Sequence, residues 1–213
     1  GNTKAVLTVE KVGKVDLPAP DIFFGNSKME VTDTDIYKSD QVFTRGQMIT
    51  VTGIDNLNEW WIDPDFFEKQ SDGTLKFLPI NGDYRVTANG ILKYFSVIAL
   101  KDGKPAKLQD DGTGAIWAIG KGIGKPSVTS SEVGWETGKA LCLAQVAPKK
   151  YQLTLKAGET LKTSGDWEAI SFKFFYQNDW GGEFSNYASN TLVEQLKLTG
   201  SGNLEMQDNK AFE

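Results

Sequence analysis

The 213-residue chain has no histidine and a single cysteine. Without histidine there is no Ser-His or Cys-His nucleophile pair and none of the usual zinc ligand sets. Most general-base schemes that work near neutral pH also drop out. Catalysis, if present, would have to run on carboxylates, lysine or tyrosine. The lone Cys142 excludes an intrachain disulfide. Set in the run KALCLAQV, it reads as a small apolar residue of a buried strand. No apolar run approaches the roughly 18 residues that span a bilayer. Positive charge is also short: 23 Lys and Arg stand against 28 Asp and Glu, for a net charge of -5. That is the wrong sign for a general nucleic-acid binder. Proline is scarce, at 7, whereas 22 glycines punctuate short alternating runs. Together these features predict an all-β protein with many turns.

Along the chain, residues 4–12 alternate as a strand, and the prolines of 17–21 make a stiff connector. Met48 to Ile54 reads as one strong strand. Asp63-Pro64 predicts a capped single helical turn over 64–69. Asn89-Gly90, between two alternating runs, is a hairpin signal. The first hundred residues therefore read as an immunoglobulin-like sandwich of about seven strands. The charged segment 101–114, whose one large apolar residue is Leu108, marks the boundary between a domain at 1–104 and another at 105–213. Asp110-Asp111-Gly112 lacks the further ligands of a calcium loop and reads as a solvated turn. GKGIGKP, starting at Gly120, looks like a phosphate loop but lacks its GK[ST] ending and a following helix. Weak helical periodicity near 190–198 is not read as a helix.

The stretch FKFFYQNDWGGEF, 172–184, reads as a strand, a turn and the start of a second strand. It sets Trp180 on a turn finished by Gly181-Gly182. A flat ring beside polar side chains can stack on the C–H face of a pyranose while neighbours bond its hydroxyls. The competing expectation is a ring folded back as a lid on the sandwich. Trp135, also after a glycine, would complete a two-ring platform or else pack under its own loop. Lys173, Asp179 and Glu183 are the candidate polar contacts to sugar hydroxyls; solvation and turn formation are their ordinary uses. Trp117 is expected in the core, and Trp167 is open. Of the adjacent Trp60 and Trp61, at most one can enter the core of an extended segment, and the other is expected between the domains.

The order IWAIG, Gly-Trp, a Tyr-led strand, FKFF…DWGG and GSGNLEM resembles the carbohydrate-binding-module-like sandwiches of SusE/SusF-type outer-membrane glycan-binding lipoproteins. It is also similar to the accessory sandwiches of pullulanase-type enzymes. The most specific matches are Phe172, Lys173, Phe174, Asp179, Trp180, Gly181, Gly202 and Asn203. The tyrosine-containing final strand usual in such modules is missing from the pattern here. The resemblance covers about 115–210; the N-terminal part is similar to the Ig-like domains that precede such modules. It implies a non-catalytic, cell-surface glycan-binding protein of a polysaccharide-uptake system. The expected ligand is an oligosaccharide or polysaccharide, with α-glucan among the candidates, and no cofactor is expected. The expected partners are outer-membrane glycan-uptake proteins, and the chain itself is expected to be monomeric. No signal peptide is visible in the first residues, so membrane attachment is expected only through a removed or lipidated N-terminal leader. Two alternatives stand beside this. One is a structural or protein-interaction sandwich with no sugar site. The other is a glycoside hydrolase using Asp179 and Glu183 as its carboxylate pair.

Overall fold

The structure, a computed structural model, describes residues 19–165, 169–185, 194–207 and 212. It is built of strands, with one short α-helical turn at Val128–Ser131 and short 3-10 turns among the described residues. The strands form two β-sandwich domains. The predicted strand at 4–12, the open Trp167 and positions 190–193 of the weak helical pattern lie outside the described residues; the rest of that pattern ends in the strand Leu196–Leu198, so no helix forms over 194–198.

In the N-terminal domain the chain folds around a five-stranded antiparallel sheet. Its order runs Lys104–Pro105, Tyr94–Lys101, Gly82–Asn89, Ile36–Phe43, Glu30–Asp33. Alternation works here as the sequence suggests: Tyr84, Val86 and Ala88 turn inward along one strand, Phe95 and Val97 along its neighbour. Two small three-stranded sheets bring Phe24, Ile49, Phe67, Leu75 and Phe77 to the same core. The core is a network of edge-to-face rings, with Phe24 centred 5.1 Å from Phe95 and 5.7 Å from Phe67.

Three local expectations change form. The predicted strand at 48–54 splits, with Met48–Ile49 pairing Leu75–Phe77 and Val51–Thr52 pairing Phe23–Phe24. One apolar run thus serves two sheets. The turn after Asp63 does form: Asp63 Oδ1 accepts the Asp65 N–H, and its carbonyl accepts those of Phe66 and Phe67. It ends early, because Phe67–Lys69 pairs with Leu75–Phe77 as a strand and sheet pairing overrides helix continuation. The Asn89-Gly90 hairpin turns over 90–93, with Asn89 Oδ1 capping the Leu92 N–H at 2.9 Å.

The C-terminal domain is organised on Trp117–Gly124. This strand lies between Glu132–Gly134 and Ser171–Phe175, followed by Leu204–Met206 and Leu196–Leu198. Its glycines serve close backbone packing. A Cβ on Gly120 would sit 2.3 Å from the Phe172 Cα, and one on Gly124 would sit 2.4 Å from the Ser131 carbonyl oxygen. GKGIG is therefore a strand pressed between neighbouring backbones. Cys142 pairs with Trp117 and is buried, which pushes its thiol up to about 12. Asp111 Oδ1 accepts both the N–H and the hydroxyl of Thr113, the turn read from the sequence.

A polar seam joins the domains. Lys125, at the end of the central C-terminal strand, is buried. Its Nζ lies 2.7 Å from Asp63 Oδ2 and 3.2 Å from Asp65 Oδ2. Asp65 also accepts bonds from Gln152 Nε2 and from the hydroxyl and N–H of Thr154. Burial raises both carboxyls. For Asp65, Lys125, Gln152 and Thr154 outweigh it and hold the group below the usual carboxylate range. Asp63 has fewer partners, and burial leaves it above that range. The tryptophan pair divides as expected: Trp60 packs on Phe95 in the core, ring centroids 4.7 Å apart. Trp61 reaches across the seam, its Nε1 donating to Glu159 Oε1 at 2.5 Å. Ala144 adds to the N-terminal core, and Arg45 donates to the Val146 carbonyl.

Candidate functional site

Ser171–Phe175 leads into a hairpin that returns through Glu183 and Phe184. Phe184 N–H donates to the Phe174 carbonyl at 3.0 Å, and Tyr176 N–H to the Gly182 carbonyl at 2.8 Å. Side chains close the tip. Gln177 Nε2 donates to the Trp180 carbonyl at 2.7 Å, and Asp179 Oδ1 accepts the Trp180 N–H at 2.8 Å. Gly181 and Gly182 take φ values of 83° and 70°, the left-handed region that favours glycine. The return limb rests on a second glycine, since a Cβ on Gly202 would lie 2.0 Å from the Phe184 carbonyl oxygen. Sequence and packing thus hold the tip in one shape.

That shape presents Trp180. Its side chain is 51% exposed and its ring packs edge-on against buried Phe175. On its other side stands Trp135, half-buried, following the strand Glu132–Gly134. The two indoles come together across 45 residues of sequence, with centroids 6.4 Å apart and planes 26° from parallel. Rings that are nearly parallel at this separation are displaced sideways, so part of each face stays clear of the other. Trp180 therefore packs against both Phe175 and Trp135 while about half of it stays exposed.

The other sequence candidates take different positions. Asp179 is exposed, with one carboxylate oxygen committed to its own turn. Glu183 sits on the return limb, bridged to Phe175. Lys173 pairs with Ile119, and alternation puts it on the sheet face shared by Phe175, the ring beneath Trp180. Trp117 is core, its Nε1 donating to the Ala106 carbonyl.

Sequence reasoning missed a groove beside Trp135. It has a volume of about 530 Å³, and Lys121, Glu132, Lys162 and Ser164 line it. Glu132 Oε1 accepts the Gly122 N–H at 2.7 Å and lies 3.4 Å from Lys162 Nζ. The groove therefore offers hydroxyl-bonding groups next to an aromatic wall. These residues come from three separate segments, and no local motif links them.

Two family models match the chain. One, described as a domain of unknown function (DUF5125), matches residues 12–108. The other, described as a domain of unknown function (DUF5121), matches residues 111–213 and so takes in the tryptophan pair, the hairpin and the groove. No curated protein and no solved structure matches the chain.

Proposed function

We propose that the protein is a non-catalytic glycan-binding module, with the Trp135–Trp180 pair as its platform and the adjoining groove supplying polar contacts. One observation carries this reading: two tryptophans remote in sequence meet at the surface, on a turn whose bonding fixes one of them in an exposed pose. An exposed ring beside a second ring gives a ligand apolar surface whose burial favours binding. A saccharide suits it, since its C–H face stacks on the ring and its hydroxyls find Lys173 and the groove lining. Preorganisation limits the entropy lost on binding. A single small platform gives dissociation constants on the order of 0.1–1 mM, and neighbouring copies raise the avidity.

The SusE/SusF-type resemblance belongs to this proposal. On that resemblance, the proposed setting is the cell surface, as an outer-membrane lipoprotein working with glycan-uptake proteins. The reading is non-catalytic, and Asp179, with one carboxylate oxygen bonded in its own turn, serves in it to shape the hairpin tip. A second reading, a protein-interaction sandwich without a sugar site, is favoured by the exposed apolar side chains Val31, Val42, Met48 and Ile91 on the N-terminal domain. Affinity electrophoresis through gels containing starch, dextran, xylan, mannan or pectin separates the two. Retardation in one gel that is lost in Trp180→Ala and weakened in Trp135→Ala is expected. Unretarded migration in every gel favours the second reading.

A further inference from the structure

Among the described residues of the C-terminal domain, two large apolar side chains are left exposed: Trp180 at 51% and Tyr176 at 41%. Both sit on the same hairpin, four positions apart. Tyr176 is not a loose surface ring. It packs against Phe184 with centroids 4.1 Å apart and planes at 51°, and its backbone N–H is held by the Gly182 carbonyl. Glycine at 182 leaves it room, because a Cβ there would lie 3.3 Å from the Tyr176 Cβ. Tyr176 follows Phe175 along the strand, so the two side chains leave opposite faces. Phe175 supports Trp180 on one face of the hairpin, and Tyr176 with Phe184 lies on the other.

We infer that Tyr176, backed by Phe184, is a second aromatic subsite for the same glycan chain, which crosses the edge of the hairpin from the Trp180 platform. This rests on the glycan-binding reading and adds a length requirement to it. Two features support the inference: the rigid seat of the tyrosine ring, and the concentration of the domain's exposed aromatics on one hairpin. Like tryptophan, tyrosine joins a flat apolar face to a hydrogen-bonding group, the combination a sugar ring needs. A disaccharide occupies the Trp180 platform alone. A longer chain reaches both rings.

The test is calorimetric titration with disaccharides and hexasaccharides of the malto-, cello-, xylo- and manno- series. Wild type, Tyr176→Ala, Tyr176→Leu and Trp180→Ala are compared, each checked for an unchanged melt. Tyr176→Leu keeps an apolar contact to Phe184 and removes the flat ring. Both Tyr176 variants are expected to weaken hexasaccharide binding about fivefold and to leave disaccharide binding within about twofold. Trp180→Ala is expected to weaken both. Equal effects of the Tyr176 variants at the two lengths, or none at either, overturn the subsite while leaving the Trp180 platform in place. Wild type that binds no member of the panel overturns the platform and the subsite together.

Discussion

The two domains use their aromatic residues in opposite ways. In the N-terminal domain, Phe24, Phe43, Trp60, Phe67, Phe77, Tyr84 and Phe95 form one buried ring network. In the C-terminal domain the core relies more on Ile, Leu, Ala and Met beside Trp117, Phe172 and Phe175, while Trp180, Tyr176 and half of Trp135 remain at the surface. Buried rings stabilise; rings held at the surface by turns and glycines are available to bind. The first domain is read as support and the second as the binding face, with the Lys125 seam fixing one to the other.

That contrast can be broken first at the seam. Replacing Lys125 by Met leaves two buried carboxylates without their cation and is expected to cost about 3–5 kcal/mol in urea unfolding. Partners on both sides of the seam lose their bonds at once, so the transition should also broaden or split. A full-stability Lys125→Met protein would mean the domains hold together without the ion cluster. Next is Gly120→Ala in the C-terminal scaffold. Its methyl group would meet the Phe172 and Ser171 backbone, and a loss of about 2–3 kcal/mol is expected from the forced shift. Unchanged melting would remove close packing as the reason for glycine there.

A smaller effect separates the two seam carboxylates. Asp65, held below its usual range, contributes stability at neutral pH that is lost as pH falls through its folded-state value, below the ordinary carboxylate range. Asp63 is raised, so its sign is reversed. Its contribution is fully present below the ordinary carboxylate range and is lost as pH rises through the raised value. Relative to Asp63→Asn, the wild type should therefore gain stability as pH falls from neutral toward the ordinary carboxylate range. Paired unfolding curves at the two ends of that interval measure this difference, and a relative loss would reverse the assignment. At neutral pH, Asp63→Asn should change stability by less than about 1 kcal/mol, because Asp65 still partners Lys125.

The sequence carried the features that depend on local pattern. The alternating runs at 82–100 became paired strands, and Gly181-Gly182 set Trp180 on an exposed turn. The rule that adjacent strand residues face opposite ways separated Trp60 from Trp61. What stayed hidden depends on register between distant segments. Lys121, Glu132 and Lys162 meet at Trp135 only because Glu132–Gly134 pairs antiparallel with Trp117–Gly124 and Leu161 bridges to Ile123. The seam needs residues about sixty positions apart; its faint local sign was Lys125 directly after a glycine-rich strand whose one charged residue is Lys121. Splitting of the 48–54 run was equally out of reach, since nothing in its composition shows that two sheets share it. Asp179 bonds the Trp180 N–H through one oxygen, the turn use that an Asp at such a position also allows.

The contrast between the domains is tested most directly by measuring Trp60→Ala and Trp180→Ala side by side for unfolding free energy and for retardation in polysaccharide gels. Trp60→Ala should lose about 3–5 kcal/mol, yet its folded fraction should still be retarded like wild type. Trp180→Ala should keep its stability within about 0.5 kcal/mol and lose retardation. Retardation that survives Trp180→Ala, or a loss of stability there comparable with that of Trp60→Ala, would contradict the account and make the exposed tryptophan part of the scaffold.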